Sequence, residues 1–303
     1  DRAGYDRAYA AALTAATAIV GPIIPPSIIM IIYALQDERV SAGALFVAGF
    51  IPGILIAAGM CVVNYRVSKA RNYRGTEGQE TFAEKMRVSW KALPALMLPV
   101  LILGGMRAGW FTPTEASVVA VFYALACGKW IYRTLQWSAL PNILSRSALM
   151  TASVLIIIGT SNAFAWILTI DGLPIALADW MSRQEMTSFT FLIAVNIFLL
   201  IFGIFIEPLP GVMVLVPILA PVAAKLGIDP IHFAMVVIFN LTLGMVTPPV
   251  GGLLFVTSNV SKVPLSALTR ELKPFLIAHA LILALLTFVP ALSTWAPRAL
   301  GFH

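Results

Sequence analysis

Charge is what this chain has least of. Only 11% of its 303 residues are charged, 59% are hydrophobic, and the mean hydropathy is +0.90. A soluble domain carries about 25% charged residues, so a water-solvated globule is excluded. Histidine is scarce as well. His232, His279 and His303 are scattered, with no HExxH or CxxC spacing near them, which removes the usual ligands of a metal-dependent hydrolase. The only two cysteines, Cys61 and Cys127, fall inside apolar segments and read as neither disulfide partners nor metal ligands. Nucleotide-binding motifs are missing too. The net charge of +6 is no nucleic-acid signature, because the basic residues lie in short loops between apolar runs. The opening, Asp1-Arg2-Ala3-Gly4-Tyr5-Asp6-Arg7, has no methionine or signal peptide and reads as the interior of a longer sequence.

What is abundant is the long apolar run, and two of these runs are broken in the middle. Gly21-Pro22-Ile23-Ile24-Pro25-Pro26-Ser27 interrupts the run over about 8–35. Each proline removes a backbone donor and clashes with the preceding turn, so no continuous helix passes through. In hydrocarbon the freed backbone groups cost several kcal/mol each, so such a break is tolerated where it lines a protein-buried or watery site. Gly244-Met245-Val246-Thr247-Pro248-Pro249-Val250 does the same to a second run, 231–260. Asp6 precedes Gly21 by the interval that separates Asp229 from Gly244, and Pro25-Pro26 and Pro248-Pro249 fall in register without a gap. A single kinked helix suggests packing only. Two in register point to the binding site of a transporter built from repeats.

Taken in order, the apolar segments predict an all-α polytopic membrane protein. The first broken span exits into Gln36-Asp37-Glu38-Arg39, and a second span covers about 44–65. A polar loop follows, with Arg66, Lys69, Arg71, Arg74, Lys85, Arg87 and Lys91; its Glu77-Gly78-Gln79-Glu80 stretch suggests an exposed loop with a short surface helix. The apolar region 93–132 is too long for one span and turns at Gly109-Trp110-Phe111-Thr112-Pro113-Thr114-Glu115. After the basic loop marked by Lys129, Arg133 and Arg146 comes a span over 147–170, then an acidic amphipathic connector with Asp171, Asp179, Arg183 and Glu185. Two apolar arms, 188–206 and 212–224, fold about Glu207-Pro208-Leu209-Pro210-Gly211 as a re-entrant hairpin. The second broken span, a polar loop over 261–273 and a last span over 275–295 complete the chain. Assigning alternate sides gathers most of the basic residues on one side, which is therefore cytoplasmic. The loop near Gly78 then faces the cytoplasm, the loop near Asp37 faces the periplasm, and the two broken helices run in opposite directions as inverted repeats.

The chain resembles the large membrane subunit of tripartite ATP-independent periplasmic (TRAP) transporters, the DctM-like family. The residues that carry the likeness are Gly4-Tyr5-Asp6-Arg7-Ala8, the two double-proline stretches with Thr247-Pro248-Pro249-Val250-Gly251, Phe111-Thr112-Pro113-Thr114-Glu115-Ala116, Phe164-Ala165-Trp166 and Pro290-Ala291-Leu292. The resemblance implies sodium-coupled import of an organic anion, of C4-dicarboxylate or sialic acid type, by an elevator mechanism in the bacterial inner membrane. It also implies a periplasmic substrate-binding protein and a small membrane subunit as partners, no cofactor beyond the coupling sodium ions, and no nucleic acid. On this reading residues 1–35 are the broken helix of the first repeat, and 188–260 the hairpin and broken helix of the second, together a transport domain. Residues 36–146 hold scaffold helices and the cytoplasmic loop, 147–187 a helix and connector, and 261–303 a C-terminal scaffold helix. The family's first hairpin, with its Ser/Gly-rich tip, has no counterpart in this sequence, so the sodium site expected beside Gly21 lacks one wall.

The chemistry can be argued apart from the family. Sodium is a hard cation that wants several oxygen ligands, and unwound carbonyls with Thr and Ser hydroxyls supply them without adding charge. At the first break the candidates are Thr17, Gly21, Ile24, Pro26 and Ser27. At the second they are Thr242, Gly244, Val246, Thr247 and Pro249, facing the hairpin tip at Glu207 and Gly211. Ser27, Glu207, Pro208, Thr247 and Gly251 are the substrate-binding candidates, with each half-helix N-terminus turned toward a substrate carboxylate. For Thr17, Thr242 and Ser27 singly, a hydroxyl bonded back to its own helix is the commoner outcome. For Thr247 the prolines are expected to disrupt the backbone partner, which favours ligation. Glu207 is either a functional carboxylate inside an apolar hairpin or the cap of the helix opening at Pro208, and both readings stand. Asn162, Asn196 and Asn240 are expected to cross-link helices, and Glu115 to cap its own. The competing classes are a structural membrane subunit, which leaves two costly broken helices unexplained, and an intramembrane enzyme, for which Glu207 is the lone unusual group.

Overall fold

Short polar side chains start half of the helices. Asp6 accepts from Tyr9 N at 2.9 Å and Asp229 from His232 N at 3.0 Å, so the two broken spans open with the same cap at matching positions. In the computed structural model the described residues are 4–73, 81–172, 175–176, 179, 183 and 186–302, with the side chains of Arg107, Asn162, Ala165 and Thr169 excluded. They form helices α1 (Arg7–Ala18), α2 (Val20–Ile23), α3 (Ile28–Gln36), α4 (Ala42–Ala48), α5 (Phe50–Ala70), α6 (Phe82–Arg107), α7 (Pro113–Ala126), α8 (Leu140–Ile170), α9 (Ser188–Phe205), α10 (Pro208–Lys225), α11 (Pro230–Gly244), α12 (Gly252–Ser261), α13 (Leu265–Phe288) and α14 (Ala291–Ala299). A π turn, Cys127–Ile131, and a 3-10 turn, Trp137–Ala139, lie between α7 and α8. No strand occurs among the described residues. Seven of the helices are long and apolar enough to cross a bilayer, eight if the bent first pair counts as one span, and the chain is a multi-pass membrane protein.

One compact unit comprises Asp1–Thr76 with Ser161–His303. Its centre is α11, buried at every position from Ile231 to Gly244 and packed along α9, α10 and α13. Burial on all sides suits a helix that is apolar all round. Its polar side chains find partners within the bundle. Asn240 Nδ2 donates to Asn196 Oδ1 at 2.7 Å, and Asn196 Nδ2 donates to Thr287 Oγ1 at 3.1 Å. The His232 ring meets Ser293 Oγ and Thr287 O at 3.0 and 3.2 Å. These bonds link α9, α11, α13 and α14, as expected of Asn196 and Asn240; the side chain of Asn162 lies outside the described residues. At one end of α1, Tyr9 donates to Asn64 Oδ1 at 2.8 Å, under the Arg71 guanidinium, which pairs with Glu271 at 2.7 Å.

The second unit, Glu77–Thr160, is built on the α6–α7 hairpin. Thr112 and Glu115 cap each other at its turn, the carboxylate accepting from Thr112 N at 2.8 Å. The Tyr123 hydroxyl donates to Pro94 O at 2.7 Å and holds the arms together.

Three expectations need correction. The expected surface helix is instead the start of α6, which a Thr81–Glu84 capping box begins well before residue 93; Arg74 and 77–80 lie outside the described residues. Most of the loop over 261–273 is helical, since α13 opens at Leu265. The last span ends at Phe288, and α14 follows as a separate helix beyond Pro290. In the first two cases helix-favouring polar residues lengthen an apolar helix beyond its apolar run, and in the third Pro290, which has no N–H to donate, ends the helix inside an apolar run. Glu185, with much of the connector around it, lies outside the described residues.

Candidate ion and substrate site

Proline bookkeeping locates the site. A helix carbonyl normally accepts from the N–H four residues later, so Pro25 and Pro26 leave Gly21 O and Pro22 O without donors, and Pro248 and Pro249 do the same to Gly244 O and Met245 O. In the first break the Ser27 hydroxyl donates to Pro22 O and accepts from Met30 N at 3.4 Å, so Ser27 caps α3. The carbonyls of Gly21, Ile24 and Pro26 receive no N–H from the described residues. The segments before and after this break are bent by 46°.

The second break is longer and more heavily tied. Thr247 N takes Gly244 O at 3.0 Å, Leu253 N takes Met245 O at 3.1 Å, and Gly251 N reaches across to Ile204 O of α9 at 3.2 Å. Val246 O, Thr247 O and Pro249 O receive no donor from the described residues. Gly251 sits at φ +45°, and a Cβ there would meet Met245 O and Thr247 O, each at 2.9 Å. Only glycine lets two carbonyls crowd this point. Both Pro-Pro bonds, 25–26 and 248–249, are cis.

The hairpin joins these elements. Gly21, Pro22, Pro26, Ser27, Ile28 and Ile29 line a cleft of about 380 Å³ together with Glu207, Pro208, Leu209 and Met245. The N-termini of α3 and α10 therefore share one cavity, a placement suited to anionic groups. Glu207 is exposed on it and occupies the N-cap position of α10, yet its carboxylate makes no capping bond, so the capping reading of Glu207 is set aside. Its backbone carbonyl accepts the ordinary first helical bond, from Gly211 N at 3.1 Å.

The candidate threonines bond back to their own helices, as expected of Thr17 and Thr242 taken singly. Thr17 donates to Leu13 O at 2.9 Å and buried Thr242 to Ile238 O at 2.6 Å, both inside their own helices. Thr247 does the same, donating to Leu243 O at 2.8 Å, so the expected loss of its backbone partner is wrong. The prolines that follow it delete donors, whereas its acceptor lies upstream and is intact. Gly211 is buried, and a Cβ there would crowd Leu241 at 3.2 Å, with Phe202 at 3.5 Å. The tip carboxylate faces the first break, with Met245 as the only cleft residue from the second. Met245 was missed from the sequence, although it occupies the register position of Pro22.

A membrane bundle with paired broken helices and a hairpin tip meeting in one cleft has the build of a secondary transporter. The family described as "Tripartite ATP-independent periplasmic transporter, DctM component" matches residues 1–292, and the chain belongs to it. It is 39% identical over 300 residues to the C4-dicarboxylate TRAP transporter large permease protein DctM of Pseudomonas aeruginosa, covering 99% of this chain and 70% of that protein. It is 38% identical to the sialic acid TRAP transporter large permease protein SiaM of Vibrio cholerae, over 98% of this chain and 69% of that one. To the isethionate TRAP transporter permease protein DctMQ of Oleidesulfovibrio alaskensis it is 35% identical, over 95% of this chain and 45% of the longer relative.

Proposed function

We propose that this chain forms the membrane path of a sodium-coupled importer of an organic anion in the bacterial inner membrane. The substrate is of C4-dicarboxylate or sialic acid type, the chemistry in the names of two of its relatives. The observation that carries the reading is the shared cleft, where the first break, the carboxylate-tipped hairpin and Met245 of the second break meet. Unpaired carbonyls of Gly21, Ile24 and Pro26, and of Val246, Thr247 and Pro249, supply sodium ligands, with Glu207 adding negative charge for the cation. The N-termini of α3 and α10 receive the carboxylate of the substrate, beside Ser27 and Pro208. A periplasmic binding protein delivers the substrate and a small membrane subunit accompanies the chain; residues 1–35 and 188–260 move as an elevator against the remaining helices.

Uptake by the complete transporter in proteoliposomes tests the proposal. Import should require the binding protein and an inward sodium gradient together. Equal uptake without sodium, driven by a proton gradient, would overturn the coupling.

A further inference from the structure

The second unit carries groups for which the transport reading has no use. Lys85, Arg87 and Lys91 stand at the start of α6, and Lys129 and Arg133 just beyond α7. The Tyr132 hydroxyl pins these two ends together by donating to Lys91 O at 2.9 Å and accepting from Ala95 N at 3.3 Å. Arg87 and Lys91, one turn apart, line an open cavity of about 360 Å³ with Glu84 and Val88. None of the five cations has an ion-pair partner among the described residues.

Aromatic side chains accompany them. Lys129 Nζ lies 5.3 Å from the ring centroid of Trp137. Trp90, Trp130 and Trp137 are 66%, 70% and 58% exposed. Further along the same hairpin Leu96, Val100, Val121 and Phe122 are exposed as well. Exposed indoles beside unpaired cations, at one end of an apolar exposed hairpin, match the level at which a bilayer passes from acyl chain to headgroup. A free anion would meet these cations in open, screened solvent. A lipid is held near them by its own chains on the apolar stripe.

We infer that this end of the α6–α7 hairpin binds the phosphodiester headgroup of an anionic phospholipid, with Arg87, Lys91 and Lys129 as its partners and the three tryptophans at the headgroup boundary. The test reconstitutes the full chain in phosphatidylcholine nanodiscs containing a minor fraction of phosphatidylglycerol and measures enrichment of phosphatidylglycerol next to the protein. Arg87→Gln, Lys91→Gln and Lys129→Gln should each lower that enrichment about fivefold, and together by more. Lys225→Gln and Lys262→Gln, in the other unit, should leave it unchanged. Thermal melts check that each variant is folded, and the single Lys129→Gln variant decides the matter if the triple one aggregates. Wild-type enrichment in folded Lys129→Gln and in the triple variant would overturn the inference. So would displacement of the lipid by inorganic phosphate, which would mark a site for free anions.

Discussion

The two broken helices begin alike and are finished by different means. Both open on an aspartate cap in matched register, and both give way where a Pro-Pro pair deletes the donors for two carbonyls. In the first, one neighbouring side chain makes the repair: Ser27 takes Pro22 O and starts α3. Gly21, Pro26 and Ile28 remain exposed around it. In the second, Thr247 N takes Gly244 O and Leu253 N takes Met245 O, while Gly251 N donates across to Ile204 O of α9, and the helix before it is buried throughout. A Cβ on Gly244 would run into the backbone of Gly203, whereas a Cβ on Gly21 would meet nothing within 4 Å. The same local instruction thus yields one break that lines the cleft along its length and one, behind a fully buried helix, that reaches the cleft through Met245.

The comparison can be broken most sharply at Glu207, which shares its cleft with the open break. Glu207→Gln is expected to abolish uptake by the complete transporter while leaving the melting temperature unchanged, because the carboxylate makes no capping bond. Normal uptake would remove Glu207 from the site. The matched glycines come next. Gly244→Ala should cost about 3 kcal/mol or prevent folding, since the obstacle is backbone that cannot step aside. Gly21→Ala should be neutral or stabilising by up to about 1 kcal/mol. Equal melting temperatures for the two variants would mean that the breaks are packed alike.

Smaller effects sharpen the picture. The Thr247 hydroxyl spends its proton on Leu243 O, which leaves its oxygen lone pairs and its own carbonyl free for a cation. Thr247→Ala should raise the half-saturating sodium concentration for uptake about tenfold, in keeping with the roughly 1.5 kcal/mol of a weak charged hydrogen bond. Thr257, back-bonded in the same way to Leu253 O at 2.8 Å but away from the break, is the control. Unchanged sodium dependence would leave ligation to carbonyls alone. The least effect is expected for Ser27→Ala, a loss of about 1 kcal/mol in thermal stability from the missing cap. A wild-type melting temperature coupled with altered sodium dependence would make that hydroxyl a ligand instead of a cap.

Much of this was legible in the order of residues, because helix hydrogen bonding is a local rule. Which carbonyls lose their donors follows from where Pro25, Pro26, Pro248 and Pro249 stand, and the caps at Asp6, Asp229 and Thr112 follow from short polar side chains ahead of apolar runs. Even the Thr247 bond to Leu243 O was readable, since an acceptor four residues upstream is untouched by prolines downstream. Nothing local, however, places Glu207 against Gly21 and Met245, sets Gly203 against Gly244, or buries α11 on every side while leaving Gly21 open. Those facts join residues far apart in the chain. The sequence alone determined where the backbone must break; the tertiary structure decided how far each break lines the cleft, because only packing determines which parts of distant helices arrive beside it.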